Sequence, residues 1–186
     1  MNKEQLKKEF GIEAFGHEKN RTLKEANWFR PSLDINGLFG GYTGQGSKTV
    51  IPARTSAKIT CRLVIHQDPE KVSQSIGAFL QAKAPKGMKV DVVHQGGIGA
   101  YRTPSDAPLA KAVAKAAFEV TGKKSEYVLS GASIPIAAEF VRVLGVPVVG
   151  MGYCLPSDDI HAPNEHFDMR RFEKGFLTVA RTFELL

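Results

Sequence analysis

At 186 residues, with 42% hydrophobic and 24% charged side chains, the chain has the make-up of one ordinary globular domain or two small ones, with enough apolar residues for a proper core. Net charge is +6, but the basic residues are scattered and no Lys/Arg block is interleaved with aromatics, which argues against a nucleic-acid groove; a basic surface equally suits carboxylate-bearing substrates. No run approaches the roughly 18 apolar residues of a membrane span, and no apolar stretch follows the charged N-terminus, so the expectation is a cytoplasmic protein without span or signal peptide.

Residues 1–29 are polar and charged. Glu4 to Phe10 and Thr22 to Trp28 allow short helical turns, but neither carries the apolar surface to hold a fold, so this stretch reads as an irregular lead-in. From Arg30 the pattern becomes a strand: Leu33, Ile35, Gly37 and Phe39 alternate with Ser32, Asp34 and Asn36. A glycine-rich stretch, Gly40 to Gly46, interrupts it without Walker spacing or a following helix. The second strand is clearer. Ile59, Cys61, Leu63 and Ile65 share one face, and Lys58, Thr60 and Arg62 the other. Arg62 on that polar face is by itself a solvated arginine.

Asp68-Pro69-Glu70 opens a helix with Asp68 as cap, and Val72, Ile76, Phe79 and Leu80 form its apolar stripe. Val90 to Val93 reads as a further strand. Strand, strand, helix, strand is the latter part of a ferredoxin-like unit, and residues 30–96 are expected to form a partial domain of that kind. Gly96-Gly97-Ile98-Gly99 marks the boundary to residues 97–186. There Leu109, Val113, Ala117 and Val120 predict a helix capped by Ser105 or Asp106 and ended near Gly122. Glu126 to Leu129 reads as a short strand, Ser130 to Ser133 as a turn, and Ile134 to Val143 as a helix closed by Gly145. Ser133 near that helix start is either a simple cap or an anion contact. Pro147 to Met151 predicts a buried strand, and a last helix is expected to bury Phe172, Phe176, Val179, Ala180 and Phe183. The fold class is therefore α/β, with an α+β first part. Cys61 reads as a small buried apolar residue; Cys154 has no adjacent base, and the two are neither a redox pair nor a metal knuckle.

Between that strand and the last helix lies Cys154-Leu155-Pro156-Ser157-Asp158-Asp159-Ile160-His161-Ala162-Pro163-Asn164-Glu165. A histidine beside carboxylates just past a buried strand suits a metal or substrate site, and Asp, Pro and Asn equally suit a surface turn. Asp158 to Glu165 resembles the last metal-ligand loop of the two-zinc metallopeptidases that include carnosinase-like dipeptidases, aminoacylases and the desuccinylase of lysine biosynthesis. Gly131-Ala132-Ser133-Ile134-Pro135 resembles the Gly-Gly-Ser-Ile-Pro turn of the dipeptidase branch. Gly44 to Pro52, followed by Cys61-Arg62-Leu63-Val64, resembles the segment entering that family's lid. The similarity runs from about Arg30 onward, in the family's order.

That resemblance implies a lid and dimerisation domain over 30–96 and the C-terminal part of a catalytic domain over 97–186. It assigns His161 to zinc and Thr49, Arg62 and Ser133 to the substrate, with Arg62 gripping its C-terminal carboxylate through a planar, always-charged fork. It also implies a homodimer through the lid and a small peptide or acyl amino acid as substrate. The chain contains no His-x-Asp and no Glu-Glu, the motifs in which the family carries most of its zinc ligands and its catalytic glutamate. One imidazole cannot form a zinc site that requires three protein ligands. The expectation is the C-terminal fragment of a zinc-dependent dipeptidase-like hydrolase, inactive alone and with no catalytic residue of its own. A site assembled from His161, His166 and Asp158 is a minor possibility. The alternative is a non-catalytic dimerisation or carboxylate-binding module. Asp158 and Asp159 are expected in turns or behind the metal ligands, and Glu165 to fix the loop by hydrogen bonding. Leu129-Ser130 departs from the charged residue that carnosinase-like enzymes often place before the turn, which leaves the dipeptide preference open.

Overall fold

A computed structural model describes residues 3–131 and 134–186. The chain divides into two compact units: Met1–Val64 with Leu129–Ser133, and Ile65–Val128 with Ile134–Leu186. Among the described residues no helix is long and apolar enough to cross a membrane.

In the first unit the lead-in carries two short helices where the sequence allows helical turns, and residues 11–22 between them are irregular. Helix α1 spans Lys3–Phe10 and α2 spans Leu23–Phe29. A reciprocal cap starts α2: the Glu25 N–H donates to Thr22 Oγ1 (3.2 Å) and the Thr22 N–H to Glu25 Oε2 (2.7 Å). Two orphan donors are satisfied at once, which offsets the lack of buried apolar surface. Strands β1 (Ser32–Gly40) and β2 (Thr55–Arg62) pair antiparallel.

Leu33 faces Cys61 and Ile35 faces Ile59, but the register shifts between Ile35 and Gly37, leaving Asn36 as an extra residue. A bulge of one residue exchanges the two faces for everything after it. Leu38, opposite Ala57, therefore takes the place on the Ile59 face that alternation gives to Phe39. Phe39 crosses to the polar face, where the Lys58 ammonium lies 5.3 Å from its ring centre. The expected Leu33–Ile35–Phe39 stripe is corrected accordingly. β2 ends at Arg62, three residues short of Ile65, because β1 offers no partner beyond Ser32.

The second unit holds α3 (Pro69–Ala82), α4 (Pro108–Thr121), α5 (Pro135–Leu144), a 3-10 turn (Pro156–Asp158) and α6 (Met169–Leu185). Asp68 caps α3 as expected, accepting from the Glu70 and Lys71 N–H groups. Gly122 and Gly145 end α4 and α5 in the left-handed region at φ 70° and 66°. Ser105 and Asp106 do not cap α4; the cap position is Ala107, without a side-chain bond, and Pro108 begins the helix. The strands expected at Val90–Val93, Glu126–Leu129 and Pro147–Met151 are absent among the described residues, whose one sheet is β1–β2. A strand needs a neighbour, and here side chains hold two of these segments instead. Gln81 Nε2 donates to the Val90 carbonyl (3.4 Å) and Thr103 Oγ1 to that of Val148 (2.6 Å). His94 Nδ1 pairs with Ser73 Oγ at 2.5 Å, and Gly77 is the residue that lets the imidazole approach α3.

The core of this unit is built of small residues. Ala110, Ala112 and Ala116 of α4 and Thr178 and Thr182 of α6 are buried, and the two helices pack together. Thr178 and Thr182 hydroxyls donate to the Lys174 and Thr178 carbonyls (2.8 and 2.7 Å), so neither buried oxygen lacks a partner. Tyr153 OH adds a 2.5 Å bond to Thr178 Oγ1, and Arg181 pairs with Glu119 across the seam at 2.5 Å. The expected aromatic core of α6 is corrected: Phe172, Phe176, Val179, Ala180 and Phe183 are exposed, as is Phe79 of α3. Small side chains allow the closer helix approach, and the bulky face turns outward.

Candidate functional site

In the first unit the two resemblance motifs meet through one hydrogen bond. Arg62, on the polar face at the end of β2, donates from Nη1 to the Gly131 carbonyl at 2.9 Å. A charge-assisted contact thus bridges a separation of 69 positions in the chain. On its other side Gly131 lies against α2: a Cβ there would sit 3.0 Å from Asn27 Oδ1 and 3.2 Å from the Asn27 carbonyl. A side chain there would require Asn27 to give by a few tenths of an ångström. Arg62 is exposed. Thr49 is exposed in the connection between β1 and β2. Ser133 lies outside the described residues.

In the second unit the loop from Tyr153 to Phe167 is organised around Asp158, which is 1% exposed. Its Oδ2 accepts from the Leu155 N–H (2.8 Å), and its own carbonyl accepts from the His166 N–H (3.0 Å). Arg171 of α6 grips the carboxylate with both arms, Nη1 to Oδ2 at 2.5 Å and Nη2 to Oδ1 at 2.6 Å. Nη1 also reaches the Tyr153 carbonyl (2.8 Å), and the Phe167 ring lies 4.7 Å from the guanidinium carbon. The Arg171 hydrogen bonds, then the Leu155 N–H, hold the Asp158 carboxyl down at about 2 despite burial. Asp158 is thus committed to an ion pair, which removes it from a His161–His166–Asp158 metal set.

His161 lies between these fixed ends and is exposed. Its backbone is left-handed (φ 64°), as are those of Asp159 (53°) and Asn164 (66°). Asp, His and Asn are the non-glycine residues that take that region most readily. Glu165 does fix the loop, its Oε2 accepting from the His161 N–H at 3.4 Å. Among the described residues no group of three His, Cys, Asp or Glu side chains could hold a metal ion. By themselves, then, the residues present do not fit a zinc site, and His161 is available at most as one donor.

Sequence reasoning missed Arg171. A signal was there: arginines in the first turn of a helix oppose its dipole and call for compensating carboxylates. Asp168 supplies one for Arg170 (2.6 Å) and Asp158 the other for Arg171.

A profile of Peptidase family M20/M25/M40 matches residues 16–185. The chain belongs to this family. It is 30% identical over 184 residues to the Cys-Gly metallodipeptidase DUG1 of Saccharomyces cerevisiae, covering 95% of this chain and 37% of that protein. It is 27% identical over 186 residues to the Beta-Ala-His dipeptidase of Rattus norvegicus, covering 98% and 38%. Among solved structures, an M20 family metallo-carboxypeptidase from Sulfolobus solfataricus superposes with a TM-score of 0.87 at 29% identity, covering all of this chain and 42% of that one. Human carnosine dipeptidase 1 gives a TM-score of 0.76 at 25% identity, covering 100% and 40%. The chain therefore spans well under half the length of these relatives. The mixed α/β architecture is that of M20 peptidases, and the two curated relatives are named as dipeptidases, DUG1 as a metallodipeptidase.

Proposed function

We propose that this chain is the C-terminal part of a zinc-dependent, dipeptidase-like hydrolase acting on a peptide or related amide bond in a small substrate, and that it is inactive by itself. Residues 30–96 are its partial lid and dimerisation region, 97–186 the remainder of its catalytic domain. His161 is one donor of a metal site whose other donors are not in this chain. Arg62, Thr49 and Ser133 hold the substrate carboxylate. A homodimer through the lid and a cytoplasmic location belong to the same proposal.

The observation carrying this reading is the hydrogen bond from the exposed Arg62 to the Gly131 carbonyl, because it ties a permanent cation to the sequence motif that contains Ser133. A cation of that geometry suits a carboxylate terminus. The dipeptidase names of the relatives support the reaction class. The test is turnover of Cys-Gly and of β-Ala-His with added zinc, on this chain alone and mixed with a polypeptide matching the remaining length of its relatives. No turnover alone and turnover in the mixture is expected. Hydrolysis by the chain alone overturns the reading. Carboxylate binding through Arg62, with the mixture still inactive, favours the non-catalytic binding module.

A further inference from the structure

The loop bearing His161 is tied at both ends to one residue. The Asp158 carboxylate takes the Leu155 N–H and the Asp158 carbonyl takes the His166 N–H, so the intervening residues form a closed span. Shorter bonds subdivide it, from the Ala162 N–H to the Asp159 carbonyl (2.8 Å) and from the Glu165 N–H to the Ala162 carbonyl (3.3 Å). That span is anchored to α6 through the two-armed Arg171–Asp158 pair, which Arg171 extends to the Tyr153 carbonyl. α6 is held in turn by its threonine seam with α4 and by the Tyr153–Thr178 bond. Three left-handed non-glycine residues within Asp159–Asn164 show that the span is not a relaxed coil.

We infer that Arg171 is a positioning residue: its two-armed hold on Asp158 sets the left-handed backbone of His161 and presents the imidazole to solvent before any metal is bound. This rests on the reading of His161 as a metal donor, which it deepens by naming what orients the donor. A guanidinium is required because three acceptors, Asp158 Oδ1, Asp158 Oδ2 and the Tyr153 carbonyl, are met from one planar group. A lysine ammonium presents the same charge from a single nitrogen.

The test compares the isotope-labelled full chain with Arg171→Gln and Arg171→Lys, all in chelator. Amide hydrogen exchange is followed at Ala162 and His166, with the α4 amides as reference, and scalar couplings report φ at His161. In Arg171→Gln the His166 amide should lose protection by at least about tenfold, with averaging of the His161 couplings and unchanged α4 exchange. Arg171→Lys should recover only part of that loss. Retained His166 protection and retained left-handed couplings in Arg171→Gln overturn the proposal, and so does full recovery by Arg171→Lys, which would reduce the role to charge. If Arg171→Gln unfolds throughout, Asp158→Asn, which keeps an acceptor for Leu155, is measured in the same way. Loosening confined to the loop then supports the proposal, and global unfolding of both variants overturns it. Zinc titrated into the labelled chain mixed with a polypeptide matching the remaining length of its relatives tests the underlying reading separately. Unmoved His161 ring resonances would sink the donor assignment while leaving the loop result intact.

Discussion

Arg62 reaches the Gly131 carbonyl at 2.9 Å, joining the last residue of β2 to a turn 69 positions later. The contact uses one arm of an exposed guanidinium. Arg62→Ala should therefore cost about 1 kcal/mol of local stability and speed amide exchange at Gly131. The same variant should abolish chemical-shift changes caused by an N-acetyl amino acid, used as a carboxylate probe. Arg62→Lys should retain part of both. Unchanged probe binding in Arg62→Ala would remove Arg62 from the substrate site.

Gly131→Ala tests the other side of that turn. The added methyl would meet Asn27 Oδ1 at 3.0 Å and the Asn27 carbonyl at 3.2 Å. The amide side chain can rotate away, whereas the carbonyl belongs to helix α2. A loss of about 1 kcal/mol in chemical denaturation is expected, and Asn27→Ala in the same chain, which removes only the movable amide, should not recover it.

Acid should release the loop of the second unit. In the folded chain Asp158 titrates at about 2, held there first by Arg171. Unfolded aspartate titrates near 3.9, so on lowering the pH the unfolded form takes up the proton first. The stabilisation is complete above about pH 4 and disappears as pH falls toward 2. Asp168, held at about 2 by Arg170, contributes in the same window. Asp158→Asn should flatten the denaturation midpoint between about pH 4 and pH 2, and adding Asp168→Asn should flatten it further. A pH profile unchanged by either substitution would contradict the ion-pair account.

Thr178→Val should cost about 1–2 kcal/mol, because it removes the buried hydroxyl shared by the Lys174 carbonyl and Tyr153 OH. Tyr153→Phe should cost less, since Thr178 keeps its carbonyl partner. In a double-mutant cycle the two should couple, and additive effects would show that the 2.5 Å contact contributes nothing.

Helix positions were largely legible in the sequence, since apolar spacing, Pro at α3, α4 and α5, and Gly122 and Gly145 act through local chemistry. Strand identity in the second unit was not. Val90–Val93 and Pro147–Met151 have strand-like composition, but a ladder depends on a partner elsewhere, and the described residues supply none. The Phe39 error has the same origin: alternation assumes an unbroken register, and one extra residue at Asn36 reverses it. At the candidate site, motif order pointed to Arg62 and His161. The burial of Asp158 by an arginine thirteen residues later left no periodic trace.

Helix α6 turns two threonines inward and sets three phenylalanines in the water beside its charged residues. Such a rod is a detergent-like amphiphile, so a purified sample should light up a fluorescent dye that favours oily surfaces and should clump more readily in sulfate than in urea. Serine in place of Phe176 and Phe183 should make the sample better behaved without loosening the α4–α6 seam, because neither ring contributes to it.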